Sequence, residues 1–191
     1  MSLSTLSELE IKVIRDMPKR PGTNLVLDAL RSAWRKLLFE SEVWREDLTA
    51  FDAVEDQATY TLTPSAGEIK RIIKVEINDG EVSEVGYYLD GSNTLTFEED
   101  YVPSEDLTDG IKVEVALNPE ADATDGPIWI LNRFYEGIVA GAQMELFAQR
   151  ARPWYDPSMY EVKRSEFFTA IGDAVVTRSQ KRTTRKTGFS A

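Results

Sequence analysis

The residues of this chain best suited to chemistry are its carboxylates and a late run of cations. Glu98-Glu99-Asp100 and Glu105-Asp106 could supply oxygen ligands to a hard divalent cation. They lack the alternating acid spacing and the glycine of a calcium loop. The stronger reading is a solvated hairpin edge, where charge keeps a sheet rim from pairing. The 191 residues contain no histidine and no cysteine. The commonest general base, the commonest metal ligand, thiolate nucleophiles and disulfides are therefore all excluded. No glycine-rich phosphate loop and no GxSxG elbow occurs. A carboxylate-based, metal-dependent hydrolase using the Glu98 to Asp106 cluster is the enzyme alternative; the expectation is that the chain is not an enzyme and holds no cofactor and no metal.

The cations are Arg178, Lys181, Arg182, Arg185 and Lys186, and no acid lies between Thr177 and Ala191. The whole chain carries −11, and the stretch from Lys74 to Asp125 holds fifteen acids against Lys74 and Lys112. An acidic body thus bears a basic end. Such asymmetry fits an acidic partner or nucleic acid, and it equally fits a solvated disordered terminus. Phe189 is the one aromatic in that end, so it lacks the interleaved stacking residues of a nucleic-acid binder, and the acidic body repels phosphates. A general interaction module with a nucleic-acid-binding tail is the other alternative. The N-terminal MSLSTLSELEIKVIRDMP has neither a basic start nor an apolar stretch of signal-peptide kind, and no apolar run is long enough to span a bilayer.

Hydrophobic periodicity places these groups on elements. Leu6, Leu9, Val13 and Met17 recur at helical spacing behind a Thr5/Glu8 capping box, and Pro18 ends that helix. A second helix runs from an Asn24 cap to Glu42, with Leu27, Leu30, Trp34, Leu37 and Leu38 as its apolar stripe. Trp44, Arg45 and neighbouring acids follow as a polar-aromatic exit, read either as a subunit contact or as a lid on the core. The period then becomes two. Tyr60 and Leu62, then Ile73, Val75 and Ile77, then Leu95 and Phe97, then Ile111 to Leu117 alternate with polar residues. Asn78-Asp79-Gly80 and Asp90 to Asn93 supply turns, and Val82 to Leu89 is a weaker strand broken by Gly86.

Helical spacing returns at Pro127, with Leu131, Tyr135, Ile138, Ala142 and Leu146 on one face. Gly137 and Gly141, each costing about 1 kcal/mol against alanine in a helix, predict close approach of another element. A break at Arg152-Pro153-Trp154-Tyr155 leads to Asp156 as cap and Pro157 as first residue of a last helix. That helix is expected to end near Arg178, with Tyr160, Arg164, Phe167, Ile171 and Val175 inside. The predicted fold is α+β: a small antiparallel bundle of about four helices, with an antiparallel β insertion between helices two and three and a flexible basic C-terminal tail. The boundaries are 1–46 for the first helices, 47–119 for the β module, 120–176 for the last helices and 177–191 for the tail.

Three segments carry a resemblance. They are LVLDALRSAWRKLLFESEVWREDLTAF, EDQATYTLTPSAGEIKRIIKVEIND, and PIWILNRFYEGIVAGAQMELFAQRARPWYDPSMYEVKRSEFFTAIGDAV, the last with a PW-x-DP break between paired helices. In this order and spacing the chain resembles the head-to-tail adaptor (connector) proteins of tailed bacteriophages, short-tailed phages in particular. The resemblance covers most of the chain from Asn24 to Val176. It implies a structural protein of the virion neck, made in the host bacterial cytoplasm. It implies a ring, a dodecamer in the virion, seated on the portal protein. DNA passes through the ring's channel without specific binding, and the ring carries the next tail protein; no membrane is involved. On that footing Arg178, Lys181, Arg182, Arg185, Lys186 and Phe189 are the expected portal-docking residues. Trp154, Tyr155, Trp44 and Arg45 are the expected subunit contacts.

Overall fold

The computed structural model describes residues 5–124 and 126–187, with side chains as far as Gln180. The chain is mixed α+β, with four α-helices and antiparallel sheets. It divides into two compact units. One is made of residues 1–43 and 121–191, the other of Trp44–Glu120.

The first unit is helical. A 3-10 turn, Leu6–Leu9, leads into α1 (Glu10–Arg15); α2 is Thr23–Ser41, α3 Ile128–Phe147 and α4 Pro157–Thr187. The predicted first helix is therefore split. The Thr5 hydroxyl meets the side chains of Ser7 and Glu8 rather than a backbone N–H, so the capping box does not close. The Leu6 N–H instead donates to the Thr124 carbonyl at 2.8 Å, tying the entry of this segment to the approach to α3. On α2, Leu30, Trp34, Leu37 and Leu38 are fully buried, and Glu42 ends the helix in the left-handed region at φ 51°.

Helices α3 and α4 pack on each other, and both pack on α2. The two α3 glycines explain how closely. A Cβ on Gly137 would fall 2.2 Å from the Ala170 Cβ of α4, and one on Gly141 would fall 2.8 Å from Ala33 and from the Phe167 ring. At α4 the expected cap is present: Asp156 Oδ1 accepts from the Ser158 and Met159 N–H groups, each at 3.0 Å. The hydrogen bonds from the Ser158 hydroxyl and the Met159 backbone hold the Asp156 carboxyl below the usual aspartate range. Its folded pKa is lowered, so this contribution is complete above the unfolded value and fades as pH falls through the folded one. Asp156→Ala should lower Tm at neutral pH and narrow its difference from wild type as pH drops below about 4, measured by thermal melts across pH.

Helix α4 differs from expectation in two ways. Its buried residues are Phe167, Ile171, Ala174 and Thr177, while Arg164 faces solvent. It also continues past Arg178 to Thr187, because no glycine or proline interrupts it before Gly188 and its Lys, Arg and Gln residues favour a helix. Residues 181–187 are thus helical backbone where a flexible tail is expected.

The second unit holds eight strands: β1 (Arg45–Asp47), β2 (Phe51–Ala53), β3 (Thr59–Thr61), β4 (Glu68–Ile77), β5 (Gly80–Glu81), β6 (Tyr87–Asp90), β7 (Thr94–Phe97) and β8 (Leu107–Asn118). One sheet runs β1-β8-β4-β5 with β2 also on β8, and a second runs β3-β7-β6. On β8 Ile111, Val113, Val115 and Leu117 are all in the core, but the alternation holds only as far as Val115, since Ala116 is fully buried as well. On β4 it is not. Ile69, Ile72 and Val75 are buried and Ile73 and Ile77 only partly, because register shifts after Ile69 and after Ile72 turn the strand. Asn78 and Asp79 both take positive φ between Ile77 and Gly80, the two-residue hairpin their types favour. The weak strand from Val82 is a turn until Tyr87, and the Tyr101 ring lies where a Cβ on Gly86 would stand, 2.6 Å away.

Candidate interaction site

Four of the residues expected at contacts, Arg178, Trp154, Trp44 and Arg45, make contacts inside their own unit. The Arg178 guanidinium donates to the Ser41 carbonyl and to the Glu42 carboxylate, both at 3.1 Å. The Glu42 side chain is 9% exposed and that of Arg178 26%. Arg178 thus leaves the docking set as a free cation: it fastens α4 to the left-handed end of α2, whose last carbonyls need donors. Of the other docking residues, the side chains of Lys181, Arg182, Arg185 and Lys186 and the whole of Phe189 lie outside the described residues.

The four expected subunit contacts divide in the same way. Trp154 is buried against its own unit, with the Arg152 guanidinium 5.8 Å from its ring. Trp44 packs on the core of the sheet unit, so close that a Cβ on Gly67 would fall 2.9 Å from its ring, and Gly67 takes φ 73°. Arg45 pairs with Glu114 across β1 and β8 at 3.2 Å. Tyr155, at the helix break, is the one of the four that presents a large surface to solvent. Trp154 is buried, and Trp44 and Arg45 are half-buried.

The acidic stretch is organised around its two lysines. Lys74 contacts Glu76 and lies 3.7 Å from Glu81, and its pKa is raised chiefly by the Glu76 hydrogen bond, with burial opposing. Lys112 bonds Asp79, which lowers the aspartate and raises the lysine. Of the Glu98 to Asp106 carboxylates, Asp106 accepts the Glu55 N–H at 2.8 Å. Among the described residues, no three acids gather closely enough to hold a metal ion.

What the sequence pattern did not expose is a groove along α3 and α4, about 580 Å³, flanked by Glu136, Glu166, Asp173 and Arg133, with Thr169 and Val176 on its floor and wall. Its α4 side repeats Ser165, Thr169, Val176 and Gln180 at helical spacing. These polar and small residues interrupt the apolar period, so they read as a solvated face. Nearby, Phe168 is 47% exposed, with the Lys36 ammonium 5.3 Å and the Arg164 guanidinium 5.9 Å from its ring. Phe168 follows the buried Phe167 directly, and only the exact helical phase separates their roles.

Between α2 and α3, Glu145 accepts a hydrogen bond from the Ser32 hydroxyl. Burial pushes its carboxyl above the ordinary range, against the pull of Ser32 and Lys36. The folded pKa is raised, so the associated stability is complete below the unfolded value near 4.3 and is lost as pH rises through the folded one. Glu145→Gln should therefore raise Tm at pH 7, and the gain should vanish in melts near pH 4. No protein-family model matches the chain, and no curated protein matches it.

Proposed function

We propose that this chain is a structural head-to-tail adaptor of a tailed phage. In this reading it assembles as a ring on the portal, forms part of the DNA channel and carries the next tail protein. The finer architecture belongs to the same reading: a helical bundle with a β insertion, and a basic C-terminal end that grips a neighbour.

The observation that supports it best is at Arg178. Helix α4 makes its last described ion pair there, to Glu42, and its backbone continues to Thr187 through Lys181, Arg182, Arg185 and Lys186. In this reading the cations beyond that pair are the ones offered to a partner. Repetition of such an end around a ring gives avidity without a strong single contact. The acidic body suits a channel wall, since like charge keeps DNA from adhering. Virion location, portal docking through the cations and Phe189, and Tyr155 at a subunit contact all follow from this reading.

The test is mass measurement of the chain with a portal protein, using wild type and a variant ending at Gln180. Truncation there spares buried Thr177 and the Arg178 pair, so the fold remains. Wild type should join the portal and the shortened chain should not. Failure of wild type to bind any portal, or equal binding by both, overturns the portal assignment.

A further inference from the structure

We infer that the groove between α3 and α4 is the seat for the basic C-terminal segment, residues 181–191, of a second copy of this chain. This rests on the self-assembling half of the adaptor reading and concerns chains free of the portal, since one basic end does not hold a groove and a portal at once.

Charge argues for it first. Glu136, Glu166 and Asp173 flank the groove against Arg133 alone. Glu166 is paired with Lys163 at 2.9 Å and Glu136 accepts the Tyr135 hydroxyl at 2.8 Å, so the excess negative charge of the groove rests on Glu136 and Asp173. Residues 181–191 carry Lys181, Arg182, Arg185 and Lys186 and no acid. In sequence Lys181 and Arg185 are four apart, as are Arg182 and Lys186. A groove bordered by carboxylates of two antiparallel helices, with Gly137 against Ala170 and Gly141 against Phe167, is matched in charge by such a segment.

Shape argues second. The α4 wall includes Ser165, Thr169 and Val176, side chains short enough to let a helix approach. Lysine and arginine can lay their methylene stems along such a wall and keep their charged ends at the rim.

Geometry then decides between one copy and two. The groove is formed by α4 itself as far as Gln180, and residues 181–187 continue the same helix. A helix cannot lie along its own flank, so its basic turns reach this groove only from another molecule. The contact joins two different surfaces, the end of one chain and the side of the next. Repeated, such a contact closes into a ring or extends as a filament.

The test is the oligomeric state by sedimentation, with charge exchanged on either side. Wild type should self-associate, more weakly as salt rises. Glu166→Lys with Asp173→Lys should weaken association by about tenfold or more, as should Lys181→Glu, Arg182→Glu, Arg185→Glu and Lys186→Glu together; each step of ten is about 1.4 kcal/mol. The two sets combined should restore it. The groove positions are exposed and the tail positions lie past the last anchor, and a melt of each variant checks that it folds. Association that ignores both sets, or that the combined variant does not recover, overturns the inference and leaves ring formation standing on other surfaces. A wild type that stays monomeric to about 1 mM overturns it too. Portal binding is measured separately, so its loss with self-association intact counts against the portal alone.

Discussion

Phe167→Ala is expected to cost about 3–5 kcal/mol, among the largest effects of a single truncation in the helical unit. Phe167 is fully buried, and its ring fills the space that Gly141 leaves open on α3. Alanine there removes apolar burial and leaves a void that two close-packed helices cannot collapse without moving α4. In a chain of this size that is a fall in Tm of roughly 10 °C, read by calorimetry. Phe168→Ala is the control. With half its surface in water and cations beside its ring, it should cost under about 1 kcal/mol. Similar losses at the two positions would mean that the phase of α4 is not as described.

The second large effect is at the joint between α2 and α4. Arg178→Met keeps the apolar stem and removes the charge, leaving the Glu42 carboxylate and the Ser41 carbonyl without that donor in a place with little water. A fully buried pair broken in this way costs about 3–5 kcal/mol, and the partial exposure of Arg178 brings the expected loss to about 2 kcal/mol. Glu42→Gln should lose less, because the amide needs no counter-charge. The double variant should be less destabilised than the sum of the two, with coupling of about 1 kcal/mol. Denaturant melts of the four proteins give that number, and additive losses would mean that the pair contributes nothing specific.

The parts of this fold legible in the sequence are those where one local rule acts unopposed. Asp156 and Pro157 start α4 because cap and first-turn chemistry need only adjacent residues. Asn78-Asp79 make their hairpin for the same reason, and β8 alternates from Ile111 to Val115, the stretch where the sequence pattern alternates most plainly. Gly137 and Gly141 announced a close neighbour, and Ala170, Ala33 and Phe167 are that neighbour. The failures have a common origin in distant partners. On β4 two register shifts replace Ile73 by Ile72 at the core, and they arise from pairing with a strand some forty residues away. Arg178 looked like the first cation of a tail because Glu42, its partner, is 136 positions distant. The groove acids fall on helix faces that look merely solvated until α3 and α4 are laid side by side. For Trp44 and Trp154, an aromatic residue at a helix exit or break fits an anchor for a neighbour and a side chain packed on the chain's own core alike; Trp154 is buried and Trp44 packs part-buried on the sheet core.

The split make-up of the helical unit fixes an order of events during synthesis. Residues 1–43 emerge from the ribosome with α2's apolar stripe uncovered, and α3 and α4, which cover it, follow only after Glu120. The sheet unit is continuous in sequence and closes on its own residues, so nothing delays it. At 5–20 residues per second the stripe waits roughly 4–16 s for the seventy-seven residues between, a window in which a holdase has an exposed target. Chain elongation, and not the speed of helix formation, then paces maturation of this subunit.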